Sequence, residues 1–170
     1  MPTDYSKLTI VHHPDPVLRR KAAVVRRFDE DLRRLAARML ELMREAPGVG
    51  LAAPQVGQSI RLFVANPTGE PQDDAVFVNP VLTQPFGELD DYEEGCLSLP
   101  GVRGTIRRPK GITVTAQDLQ GKPFTLTSDQ LAARVWQHET DHLDGVLILD
   151  RMSRIDKLAN RRAVKELEGQ

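Results

Sequence analysis

The apolar residues of this chain change period twice, and that change limits the folds open to it. Between 29 and 46, Leu32, Leu35, Ala36, Met39, Leu42, Met43 and Ala46 recur at helical spacing. Arg33, Arg34, Arg38, Glu41 and Arg44 hold the other positions, and Pro47 and Gly48 end the pattern. The spacing predicts an amphipathic helix whose Leu and Met stripe faces a core. The middle of the chain reads as β, with candidate strands at 61–65, 75–82, 102–107, 112–117 and 124–127. In the fourth, Ile112, Val114 and Ala116 alternate with Thr113, Thr115 and Gln117, which suits a strand with one buried face. Residues 118–123 read as a hairpin connection, and 8–11 as a short strand ended by Pro14 and Pro16. Helical spacing then returns. Thr127 with Gln130 fits a capping box, opening a helix that runs to about Asp144 and stops at Gly145. A third helix is predicted over 153–168, with Ile155, Leu158, Ala159 and Leu167 on an interrupted stripe. Strands segregated from helices imply an α+β fold, with mixed or antiparallel strands around a central helix and a helix near each terminus. At 170 residues the chain fits one domain, 1–170, with about 151–170 as its C-terminal helix.

Composition removes several function classes. Lys and Arg total 23 and Asp and Glu 24, leaving a net charge of −1 and no global basic field for nucleic-acid binding. No apolar run approaches the roughly 18 residues of a membrane span. The first ten residues lack the basic-then-apolar layout of a secretory signal, so the expected location is the cytoplasm. Cys96 is the single cysteine, which excludes an intrachain disulfide and leaves a thiol that is either inert or chemical.

The chemistry-bearing motif is His138-Glu139-Thr140-Asp141-His142, an H-E-x-x-H pattern inside the second predicted helix. Four residues make little more than one turn, so both imidazoles project from one face and can grip one transition-metal ion. Leu131 and Val135 share that stripe and would set an apolar patch beside the ion. Glu139 points about 100° away around the helix yet stays close enough to exchange a proton with a metal-bound water. The bland alternative is two histidines on a partly buried helix face.

A catalytic site needs a third protein ligand. Metallopeptidases of this pattern usually take a Glu or His well downstream, but after His142 the chain has no His and only Asp144, Asp150, Asp156, Glu166 and Glu168 as acids. Upstream lies Cys96, preceded by Gly95. Alone, such a cysteine reads equally as a small buried hydrophobe; with two imidazoles, its thiolate suits Zn²⁺, Fe²⁺, Co²⁺ or Ni²⁺. A reading with Cys96 as nucleophile and His138 as base stays open, as does a structural metal site, although structural sites usually close with four protein ligands. The segment from Gly48 to Gln55 has small residues that let backbone approach a ligand, and Gln55 can donate to a carbonyl oxygen; otherwise it is a glycine-rich turn after a helix. It lacks the Lys-Ser/Thr of a phosphate loop.

Taken in order, GVGLAAPQ (48–55), EGCLS (94–98) and QHETDHLDG (137–145) resemble the three motifs of the peptide deformylase family, and HHPDPVL (12–18) and VNP (78–80) resemble it too. The resemblance implies a hydrolase that removes the N-formyl group from the initiator methionine of nascent polypeptides and releases formate. It implies Cys96, His138 and His142 as metal ligands, with water in the fourth position and Glu139 as general base and then acid. Gln55 and the backbone N–H of Leu97 would form the oxyanion hole. The physiological ion would be Fe²⁺, with Zn²⁺, Ni²⁺ or Co²⁺ in preparations. Gly50 would pair with the substrate main chain beside Gly95. Val49, Tyr92, Leu131 and Val135 would line the methionine pocket. Arg134 would sit at its rim, where the family more commonly has an apolar residue. Arg103 would lie near the peptide path or partner an acid such as Glu94. A non-catalytic metal-containing domain that binds formyl peptides is the alternative. Residues 151–170 carry six basic and three acidic side chains, a local charge of +3, which the resemblance links to the ribosome and which otherwise is a solvated helix face.

Overall fold

The stripe over 29–46 folds as predicted. Helix α1 (Glu30–Glu45) starts at Asp29, whose carboxylate accepts from Leu32 N at 3.1 Å, and it buries Leu32, Leu35, Ala36, Met39, Leu42 and Met43. This computed structural model describes residues 2–169.

The strands are β1 (Gly50–Ala52), β2 (Leu62–Ala65), β3 (Ala75–Gly95), β4 (Arg103–Gln117) and β5 (Pro123–Ser128). They form one sheet in chain order, and every pairing is antiparallel. Helix α2 (Leu131–Leu143) follows, then three short helices, α3 (Ile148–Arg151), α4 (Arg154–Ala159) and α5 (Arg161–Glu168). β2 is apolar at every position because helices cover both faces. Leu62 and Val64 join α1 in one core, whereas Phe63 and Ala65 join Ala133, Val135 and Trp136 of α2 in another. Phe63 stacks on Phe77 with centroids 4.6 Å apart, and Trp136 lies 6.0 Å from Phe77, which seats α2 on the sheet. A third core joins Leu147, Ile148, Met152 and Leu167 to Leu18, Leu99 and Ile106.

Several predicted boundaries move. The separate strands at 102–107 and 112–117 are one strand, β4, which runs through Pro109 opposite Leu89. Register shifts near Phe86 absorb the irregularity, and Gly111 lies under the Phe86 ring, where a Cβ would come within 2.4 Å of it. β3 continues to Gly95, well past the predicted end at 82. Thr127 does not cap a helix: its hydroxyl pairs with Thr113 across β4 and β5 at 2.8 Å, and α2 begins after Gln130. The helix predicted over 153–168 is divided at Asn160 into α4 and α5. Residues 8–11 belong to no strand; Val11 N instead donates to Gln55 O at 2.8 Å. His13 N donates to Ser98 O at 2.9 Å, so residues 11–13 tie the Gln55 and Ser98 segments together.

Candidate metal centre

β3 and β4 are joined by the turn that carries Cys96, Leu97 and Ser98, closed by Leu99 N on Cys96 O at 3.0 Å. That turn faces α2. Cys96 Sγ lies 3.3 Å from His142 Nε2, which lies 3.3 Å from His138 Nε2. All three donor atoms fall within 4.8 Å of one another. Metal–nitrogen bonds of about 2.0–2.1 Å at a tetrahedral angle place two nitrogens roughly 3.3 Å apart, so the donor set fits a divalent transition ion. Three protein donors leave a coordination position open.

The imidazoles are prepared differently. Burial and the positive charges of His138 and Arg108 hold His142 well below the ordinary imidazole value, so it is neutral. Burial alone would also lower His138, but hydrogen bonds to Cys96 and Glu94 reverse the sign and raise it well above that value. An incoming cation competes for this proton and displaces it. His138 Nδ1 lies 2.9 Å from Glu94 Oε1, an acceptor that turns Nε2 toward Cys96 and His142.

Sequence reasoning saw Glu94 only as a possible partner of Arg103, whereas the structure makes it the hub behind the centre. Arg108 donates to it from Nε at 2.7 Å and Nη2 at 2.9 Å, and Arg134 Nη1 donates at 2.6 Å. Burial would raise its carboxyl, but Arg108 and His138 outweigh that and hold it far below the carboxylate range. Arg108 also reaches Asp141 Oδ2 at 2.9 Å, and Arg151 grips Asp141 with two hydrogen bonds at 2.5 and 2.7 Å.

Glu139 is buried, and its Oε2 has no hydrogen-bond partner among the described residues. Burial pushes its carboxyl up to about 7, with the charge of His138 opposing. Gly50 makes room for it: a Cβ there would lie 2.7 Å from Glu139 Oε1. Gln55 is buried and its amide is fixed, with Oε1 accepting from Ala52 N at 2.9 Å and Nε2 reaching Ser98 Oγ at 3.2 Å and Cys96 Sγ at 3.5 Å.

These groups open onto a cleft of about 510 Å³. It is lined by Gln55, Cys96, Leu97, His138 and Glu139, and by all eight residues named above for substrate: Val49, Gly50, Tyr92, Gly95, Arg103, Leu131, Arg134 and Val135. Two placements differ from expectation. Arg134 is not an exposed rim residue; it is 8% exposed and bound to Glu94. Arg103 does not pair with Glu94. Its Nε lies 3.6 Å from Glu93, and its guanidinium packs over Gly95, where a Cβ would meet Nη1 at 2.7 Å.

A sequence model of the family described as Polypeptide deformylase matches residues 7–158. The chain belongs to the polypeptide deformylase family. A peptide deformylase of Brucella suis is 43% identical over 165 residues, covering 91% of this chain and 94% of that relative. Peptide deformylase 1B of Arabidopsis thaliana, chloroplastic and mitochondrial, is 43% identical over 148 residues, 86% of this chain but 54% of that protein's length. The deformylase fold agrees: a plant peptide deformylase structure superposes with a TM-score of 0.94 at 39% identity, covering 99% of this chain and 93% of that one. A Plasmodium falciparum peptide deformylase superposes at 0.92 with 35% identity and 95% coverage of each chain. Among the described residues no helix is long and apolar enough to cross a membrane.

Proposed function

We propose that this chain is a metal-dependent deformylase that hydrolyses the N-formyl amide of methionyl peptides and releases formate. The observation that carries the reading is the open Cys96, His138 and His142 donor set with buried Glu139 beside it in a peptide-sized cleft. Cys96, His138 and His142 would hold one divalent ion, Fe²⁺ physiologically, which supplies Lewis-acid activation of water. Glu139 takes the proton of the attacking water and returns it to the departing amine nitrogen. Gln55 Nε2 and the N–H of Leu97 donate to the formyl oxygen as charge develops there. Gly50 lies on β1, an edge strand of the sheet, and pairs with the extended peptide main chain beside Gly95 and Arg103. Val49, Tyr92, Leu131 and Val135 receive the methionine side chain. We further assign residues 1–170 to one catalytic unit, cytoplasmic and acting on nascent chains, with the basic 151–170 segment, where Ile155 and Leu158 are exposed, turned to the ribosome.

The test is formate release from formyl-Met-Ala-Ser under anaerobic conditions with Fe²⁺, Ni²⁺ and Zn²⁺ in parallel. Metal-loaded protein that binds the peptide but yields no formate would return the non-catalytic alternative. Gln55→Ala should lower kcat by about 100- to 1,000-fold at unchanged metal content, the usual cost of one oxyanion donor; a loss under threefold would remove Gln55 from that role. Gly50→Ala should displace Glu139 and cost about 100-fold in kcat, as a misplacement near 1 Å does. Full activity in that variant would show that Glu139 does not work from its observed position.

A further inference from the structure

One guanidinium spans three same-face positions of β3. Asp90, Tyr92 and Glu94 alternate with Asp91 and Glu93 and therefore share a strand face. Arg134, one turn before His138 on α2, reaches all three. Its Nη2 donates to Asp90 O at 2.8 Å, and its Nη1 donates to Glu94 Oε2 at 2.6 Å and to Ile106 O at 3.1 Å. Its central carbon lies 5.2 Å from the centroid of the Tyr92 ring. Arg134 is nearly enclosed at 8% exposure, whereas Tyr92 is 52% exposed and forms part of the cleft wall. A buried cation under an aromatic face holds that ring more firmly than an exposed one does.

We propose that Arg134 is a positioning residue that sets the side-chain selectivity of the cleft. It holds the Tyr92 ring against α2 and so fixes the gap between Tyr92 and the apolar pair Leu131 and Val135. A narrow gap accepts an unbranched thioether chain and resists a branched one. The same guanidinium helps neutralise Glu94, so the wall of the side-chain cleft and the acceptor that orients His138 are tied to one residue. An apolar side chain at 134 could fill the volume but would supply neither the ring's cation nor a donor to Asp90 O. The inference rests on the deformylase reading.

The experiment compares kcat/KM for formyl-Met-Ala-Ser and formyl-Leu-Ala-Ser, and, without turnover, the affinity of the metal-loaded protein for Met-Ala-Ser and Leu-Ala-Ser by calorimetry. Arg134→Met should lower the Met-to-Leu ratio about tenfold in both readouts, the scale on which one apolar contact discriminates. Arg134→Lys keeps a charge beside Glu94, and with it the fold, but its single ammonium cannot serve Glu94, Asp90 O and the ring at once; its ratio should fall as well. Tyr92→Ala should lower the ratio similarly, and adding Arg134→Met to it should lower it no further. A ratio unchanged in folded Arg134→Lys, with kcat falling equally for both peptides, would make Arg134 a structural counter-ion only and overturn the proposal. Additive effects in the double variant would show that Arg134 does not act through Tyr92. A wild type that neither releases formate nor prefers Met-Ala-Ser would overturn the deformylase reading and this inference together. Formate release with selectivity unmoved in the variants would overturn this inference alone.

Discussion

Glu139→Gln should lower formate release by roughly 100- to 10,000-fold, the range over which a positioned general base contributes, while the protein still binds one divalent ion. Glutamine keeps the shape and the contact with Gly50 but cannot take up a proton at neutral pH. The structure makes this a clean substitution. Glu139 Oε2 has no hydrogen-bond partner among the described residues, so the amide breaks no internal bond at that atom. The carboxyl is also costly to hold charged, since burial pushes it up to about 7. Thermal stability should therefore stay level or rise slightly. Metal content by elemental analysis separates the outcomes: lost activity with a full complement of ion identifies the base, whereas lost activity with lost ion would mean that Glu139 helps to hold the ion. A variant that keeps a tenth or more of wild-type turnover would remove Glu139 from the proton transfer.

What the sequence made legible follows from range. Helix α1 and the two histidines one turn apart on α2 are local patterns, and local spacing finds them. Cys96 stands out because it is the single thiol and the chain has no His after His142, and the family motif around it marks it as a ligand. Glu94 as hub, Arg108, Ser98 and Asp141 were not reached, because their partners lie far along the chain. Arg108 is 14 residues from Glu94 and 33 from Asp141, and Gln55 is 43 from Ser98. No periodicity encodes such pairs; register does, and the register of β3 against β4 appears only in the folded sheet. The end of β3 was hidden for another reason. From Thr83 to Glu93 every residue is exposed, and Phe86, Leu89 and Tyr92 are its isolated large apolar side chains, so neither an alternating nor a continuous apolar pattern marks it as strand. Thr127 reads as a helix cap because a hydroxyl that suits a cap also suits a cross-strand pair, and in the folded sheet it pairs with Thr113.

The second large effect is expected at Glu94. Glu94→Ala leaves Arg108 and Arg134 buried with their main counter-ion gone, and removing one member of a buried ion cluster costs about 3–5 kcal/mol. In a chain of this size that corresponds to a fall of roughly 6–20 °C in the metal-free Tm. His138 Nδ1 also loses its acceptor, so metal affinity should fall about 10- to 100-fold, as when the outer partner of a ligating histidine is removed. The two losses have different origins and can be separated. Replacing Glu94 by Leu together with Arg108→Met and Arg134→Met removes the buried charges as a set, while Asp141 keeps Arg151. That triple variant should regain most of the metal-free Tm, because an apolar set of similar volume does without the desolvated charges. It should not regain metal affinity, because His138 still lacks the acceptor that turns its ring. A Glu94→Ala protein with wild-type Tm and wild-type metal affinity would refute both halves. Recovery of metal affinity in the triple variant would show that the His138 ring is held by packing alone and that the Glu94 carboxylate serves only to neutralise the two arginines.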